Sequence, residues 1–219
     1  MMTRGVRFFL ILGIGLLILD GAVFALVMNR LPDSNRAVHN VVSSGSAAIG
    51  GPFTLISTGG KAVTDQTYRG KWMLVYFGYT FCPDACPTAL TNMSIALQTL
   101  REEADPIRPL FITIDPKRDT AAALGEYLKS FDPRIEGLTG TEAQTAAIAK
   151  AYRVFAEPQK AEGDGSYLVD HSSYVYLMDP DGKFVDVLEG ETPPAQMAEW
   201  LRKSIRERLT CKEQNTCAI

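Results

Sequence analysis

Residues 72–77 form an uninterrupted apolar run without polar alternation, the pattern of a strand buried on both faces. Four residues, Gly78-Tyr79-Thr80-Phe81, separate it from Cys82-Pro83-Asp84-Ala85-Cys86-Pro87. Leu90, Met93, Leu97 and Leu100 then recur at helical spacing. A buried strand that passes through a short loop into a helix belongs to an open α/β sheet, and sites in such sheets gather at that junction. Two thiols stand at the junction here, and Pro87 suits the first helical position.

The flanking segments extend this architecture. Residues 53–57 read as a strand that turns at Gly59-Gly60 into a short second strand at Ala62-Val63. Residues 108–114 are a second buried strand. Asp119 or Thr120 caps a helix with Leu124, Tyr127, Leu128 and Phe131 on one face, and Thr141 with Gln144 fits a capping box before the next helix. Residues 173–178 and 183–188 are strands joined by Asp179-Pro180-Asp181-Gly182, a strong hairpin signal. Thr192 and Pro193 open a last helix whose apolar stripe runs from Met197 through Trp200, Leu201 and Ile205 to Leu209. Alternating βα units followed by a hairpin imply an α/β, thioredoxin-like mixed sheet flanked by helices, with extra N-terminal and internal β-hairpins. A chain of 219 residues suits one such domain.

The N-terminus has a different character. Residues 8–28 are apolar apart from Asp20 and follow Arg4 and Arg7. Their length matches a bilayer-crossing helix, and the leading arginines favour a cytoplasmic N-terminus. The alternative is a cleaved signal peptide with Val23-Phe24-Ala25 as its cleavage site. Asp20 favours that alternative, because a carboxylate in a spanning helix costs about 3 kcal/mol. Either way the remainder leaves the cytoplasm, and no nearby cysteine offers a lipid anchor. The expected division is an anchor at 1–30, a Ser/Ala/Gly-rich flexible tether at 31–50, the thioredoxin-like domain at 51–209 and a cysteine-containing tail at 210–219. The expected location is a bacterial inner membrane, crossed once, with the domain in the periplasm. Net charge is −3, and residues 1–30 contribute +2, leaving about −5 outside the anchor. That balance gives no electrostatic footprint for nucleic acid.

A cysteine at a helix N-terminus meets the positive end of the helix dipole, which favours its thiolate. Spacing of four places Cys82 and Cys86 on one side of a helical turn. Such a dithiol closes a disulfide or clamps a metal ion. His171, one of two histidines, stands in Asp170-His171-Ser172-Ser173 at the entry to a strand expected beside the cysteine strand. A lone histidine there is commonly a hydrogen-bonded structural residue. If strand ends share a rim, two sulfurs and an imidazole give a soft three-coordinate site suited to copper(I). Zinc wants a fourth ligand, for which Asp84 or Asp115 would have to serve.

Four segments together carry a resemblance: Gly78 to Pro87, Thr113-Ile114-Asp115-Pro116-Lys117-Arg118-Asp119-Thr120, Asp170-His171-Ser172, and Tyr176-Leu177-Met178-Asp179-Pro180-Asp181-Gly182. The chain resembles the Sco/SenC copper-chaperone family from about residue 50 to 209. The resemblance implies a thioredoxin-like fold and copper bound by Cys82, Cys86 and His171 as copper(I), with copper(II) left open. It implies maturation of the binuclear copper site of cytochrome c oxidase subunit II, by copper delivery, by reduction of that site's cysteines through a redox-active Cys82/Cys86 dithiol, or by both. An upstream copper donor and a thiol reductant are the further partners implied. It places Asp115 in the surroundings of the site. Read from residues alone, Asp115-Pro116 opens a turn, Asp119 caps a helix, and Lys117 and Arg118 are solvated.

Three features fit less directly. Cys211 and Cys217 close a small loop by a structural disulfide, or form an accessory copper or electron-relay pair. Thr80, two residues before Cys82, faintly resembles a thiol peroxidase, but the accompanying upstream proline is missing. His39 lies in the tether and is read as inert.

Overall fold

The computed structural model describes residues 49–214 apart from 162 and 164. The expected anchor, its alternative cleavage site, almost all of the tether, His39 and Cys217 lie outside the described residues. Among the described residues no helix is long and apolar enough to cross a membrane.

In chain order the elements are β1 (Thr54–Ser57), β2 (Ala62–Thr64), β3 (Trp72–Gly78), α1 (Ala85–Leu100), β4 (Ile107–Thr113), α2 (Ala121–Leu128), β5 (Glu136–Thr139), α3 (Glu142–Ala151), β6 (Ala156–Pro158), β7 (Val169–His171), β8 (Tyr174–Met178), β9 (Phe184–Glu189) and α4 (Pro194–Glu213). Seven strands form one sheet in the order β2-β1-β5-β4-β3-β8-β9. β3, β4 and β5 run parallel, while β1–β2 and β8–β9 are antiparallel hairpins on its two flanks. β6 and β7 pair only with each other. The thioredoxin-like mixed sheet is the one the alternation of elements implies.

β3 is buried along its whole length. Trp72, Leu74 and Tyr76 enter the core built with Leu90, Met93 and Leu97 of α1, Leu124 of α2 and Leu201 of α4. Met73, Val75 and Phe77 enter the opposite core, with Ile148 of α3 and Tyr152 just beyond it. Both faces are covered, so both sets of side chains must be apolar, and the run loses its alternation.

Several boundaries differ from the sequence reading. α1 begins at Ala85 behind Asp84, so Pro87 is its third residue rather than its first. The first turn tolerates this because its N–H groups have no intrahelical acceptor. Thr120 alone caps α2, accepting from the Ala123 N–H at 3.2 Å. The capping box of Thr141 and Gln144 is present on α3. α4 runs on to Glu213, past the end of its apolar stripe, so Cys211 lies in its last turns and is disulfide-bonded. Those turns are fixed by charge. The fully buried Asp179 accepts from Arg208 Nη2 and pairs with Lys212, each at 3.0 Å, while its other oxygen takes the N–H groups of Asp181 and Lys183.

Gly78 ends β3 where the backbone meets the first turn of α1. A Cβ there would stand 2.6 Å from Cys86 Sγ and 2.8 Å from Phe111 Cε2. Gly78→Ala is therefore expected to destabilise the domain by about 1–3 kcal/mol through overpacking, read from the midpoint of urea unfolding.

Candidate metal centre

Cys82 ends the loop that leaves β3, and its N–H donates to the Tyr79 carbonyl at 3.2 Å. Cys86 is the second residue of α1 and is fully buried, whereas Cys82 is half-buried. The Cys86 N–H, one of the unsatisfied donors at the helix start, points at Cys82 Sγ from 3.4 Å. Both cysteines are free thiols.

His171 is not at the start of the strand beside β3. It ends β7, on the separate β6–β7 hairpin, and β8 begins three residues later. The hairpin nevertheless brings the ring over the dithiol. Nε2 lies 3.4 Å from Cys86 Sγ and 3.9 Å from Cys82 Sγ. Nδ1 lies 3.0 Å from the Ser172 carbonyl. A carbonyl only accepts, so Nδ1 donates its proton there and Nε2 is the ring nitrogen that faces the sulfurs. The rings of Tyr79 and Tyr76 meet the imidazole edge-on at 5.8 and 6.5 Å.

The three donor atoms all lie within 4.8 Å of one another. A small d10 ion with bonds of about 2.3 Å to sulfur and about 2.0 Å to nitrogen, at trigonal angles, separates S from N by about 3.7 Å. The observed separations of 3.4 and 3.9 Å bracket that value. No carboxylate joins this group among the described residues. Asp115 is buried, but Arg118 Nε and the Tyr167 hydroxyl engage its oxygens. Asp84 lies at the α1 N-terminus with its Oδ1 3.5 Å from Thr88 Oγ1. The donor set is therefore two sulfurs and one nitrogen, which suits copper(I) and leaves tetrahedral zinc one ligand short.

The thiols are not equivalent. The hydrogen bond with Cys86 holds the Cys82 thiol well below the usual range, opposed by burial and helped by the His171 ring and the N–H groups of Cys86 and Asp84. The same pairing, together with burial, pushes Cys86 up. The pair thus carries one thiolate near neutrality, on Cys82, and one proton, on Cys86.

Two residues read as bland turn the loop into a fixed object. Asp119 is fully buried and caps no helix. Its carboxylate accepts from Thr80 Oγ1 at 2.6 Å, Thr80 N–H at 3.1 Å and Thr113 Oγ1 at 2.7 Å. It ties the cysteine loop to the end of β4, and burial raises its pKa. Thr80 therefore serves this tie. Arg118, expected to be solvated, has a side chain only 20% exposed and ion-paired to Asp115. Lys117 is exposed as expected and pairs with Glu142 at 3.2 Å. The sequence reading missed Tyr76, Tyr79 and Tyr167. The only local signal was an aromatic residue within a few positions of each ligand.

The fold and the site define a thioredoxin-like protein with a buried-rim dithiol–imidazole centre. The SCO1/SenC family model matches residues 41–206, and the chain belongs to that family. An SCO2-like protein of Rickettsia conorii is 40% identical over 194 residues, 88% of this chain and 95% of that protein. Among solved structures, ScoI of Bradyrhizobium japonicum with copper bound matches with a TM-score of 0.67 and 45% identity, covering 72% of this chain and 99% of that one. Yeast Sco1 with copper bound matches with a TM-score of 0.68 and 40% identity, covering 73% and 89%.

Alkylation should separate the two thiols. Cys82 is expected to react with iodoacetamide at a rate that stays flat from neutral pH well into the acid range, because its thiolate persists there. In Cys86→Ser the rate is expected to fall off at higher pH, as the hydrogen bond that depresses Cys82 weakens.

Proposed function

We propose that the protein is a copper(I)-binding metallochaperone that uses Cys82, Cys86 and His171 to mature the binuclear copper site of cytochrome c oxidase subunit II. The observation that carries this reading is the convergence of two sulfurs and an oriented Nε2 within 4.8 Å at the sheet rim. The copper-bound relatives support copper as the metal. Transfer would proceed by exchange of ligands one at a time, so that the ion is never free. Cys82, half-buried and already ionised, is the donor an incoming thiolate can reach first, while Cys86 keeps its proton until the ion displaces it. The dithiol must be reduced to load, which brings in a thiol reductant beside an upstream copper donor.

The proposed setting is a bacterial inner membrane, with residues 1–30 as a single-pass anchor and the domain in the periplasm. A flexible tether of about 20 residues reaches roughly 25 Å on average, enough for the domain to meet a copper centre held above the same membrane.

The free dithiol favours a companion activity. Cys82 thiolate would attack a disulfide of the target, releasing one target thiol. Cys86 would then displace the second, leaving a Cys82–Cys86 disulfide and a reduced target. Three intervening residues instead of the usual two change the geometry of that disulfide without forbidding it.

Titration of the reduced domain against a chromophoric copper(I) chelator tests the reading. One ion per chain is expected. Cys82→Ser and Cys86→Ser should each lose the competition, and His171→Ala should weaken binding by at least about tenfold. A His171→Ala variant that binds copper like the parent yet matures oxidase fully, when the cysteine variants do not, would leave the reductase reading standing alone.

A further inference from the structure

The two halves of the centre ride on different supports. The thiols belong to the β3–α1 junction, whereas His171 belongs to a hairpin outside the main sheet. Something must hold that hairpin at the right distance from the sulfurs. Two of the ties are neutral: the Val169 N–H donates to the Tyr79 hydroxyl at 3.1 Å, and the hydroxyls of Tyr76 and Ser173 meet at 3.1 Å. The third is built on charge and comes from the loop between β4 and α2. Arg118 donates through Nη1 to the Tyr167 carbonyl at 2.9 Å and through Nε to Asp115. Asp115 in turn accepts from the Tyr167 hydroxyl at 2.9 Å.

The guanidinium also reaches the dithiol loop. Its carbon stands 3.7 Å from the Tyr167 ring centre, 4.6 Å from that of Phe81 and 5.7 Å from that of Tyr79. Phe81 immediately precedes Cys82, and Tyr79 carries the turn on which Cys82 rests. Among the described residues Arg118 Nη2 is buried without a hydrogen-bond acceptor, and aromatic faces surround the guanidinium instead. One side chain thus touches the hairpin that carries the imidazole and the loop that carries the first thiol. Neither a lysine nor a neutral amide can fill that position, because the contact needs a planar fork with several donors and a stackable face.

We propose that Asp115, Arg118 and Tyr167 form a latch that holds His171 over the dithiol, which makes Arg118 a positioning residue for copper(I) binding. The inference rests on the three-donor reading above. It also accounts for Asp115 beside the site: its carboxylate is committed to the latch rather than to a metal. With the latch broken, Cys86 stays where α1 puts it and Asp119 still holds the Cys82 loop through Thr80, so the imidazole is the donor that loses its place.

The test is a double-mutant comparison in the reduced protein, with copper(I) and a competing chelator as the probe. Arg118→Gln is expected to weaken copper(I) binding about tenfold, the loss typical of residues that orient a ligand, and Arg118→Lys to weaken it similarly. In a His171→Ala background the same Arg118→Gln change should alter affinity by no more than about twofold, because its effect passes through the imidazole. In metal-free protein the His171 Nδ1–H should exchange with solvent faster in Arg118→Gln than in the parent, read by NMR. Tyr167→Phe removes only the hydroxyl contact to Asp115. It should give a smaller fall, again absent without His171, and it stands in if Arg118→Gln does not fold. Parent-like affinity in both variants overturns the latch, as does an equal fall with and without His171. If His171→Ala itself binds like the parent, the three-donor reading fails first and the latch falls with it.

Discussion

The dithiol half of the site follows from the burial of β3 on both faces. A strand flanked by a parallel and an antiparallel neighbour, with helices above and below, has nowhere to slip. A shift of one residue would exchange Trp72, Leu74 and Tyr76 with Met73, Val75 and Phe77 across two shaped cores. The end of the strand is therefore fixed to within a fraction of a residue, and with it the height at which the chain turns toward α1. Gly78 lets Cys86 Sγ approach the backbone there, and Asp119 holds Thr80 from below. The thiols inherit their positions from the core.

The electrostatics of the rim are built in layers. Asp119 lies buried among three neutral donors with no cation paired to it among the described residues, whereas Asp115 has Arg118. Arg118 thus answers the charge of Asp115, while Asp119 is answered by two hydroxyls and an amide.

Much of this was legible in the sequence. The unbroken apolar run of β3, the cysteine spacing and the Asp179–Gly182 turn have local causes, and the structure keeps them. β5 was not legible: Glu136-Gly137-Leu138-Thr139 has no run and no alternation, and it is a strand because β4 and β1 lie on either side of it. The β6 strand is short, exposed and ends in proline, so only its pairing with β7 defines it. His171 was assigned correctly to the rim but to the wrong element, because the break between Val169–His171 and Tyr174–Met178 is two polar residues that leave no mark on hydropathy. Arg118 looked like one more surface cation. Its neighbours Phe81 and Tyr167 are 37 and 49 positions away in the chain, beyond the reach of any local pattern. Asp119 lost its expected capping role because Thr120, one residue on, serves the helix and leaves the carboxylate free to face inward.

The β6–β7 hairpin is closed by three residue pairs of its own, is tied to the body by hydrogen bonds through Tyr167, Val169 and the adjoining Ser173, and shares no ladder with the seven-stranded sheet. Withdrawing the imidazole by a few ångströms thus requires breaking those ties and no hydrogen bond of the main sheet. Motions of that kind belong to the microsecond-to-millisecond regime of segment displacement, not to that of global unfolding. The two sulfurs are thus carried by the strand–helix junction and the ring by a separate hairpin, so the third donor can shift while the sheet beneath the first two stays whole.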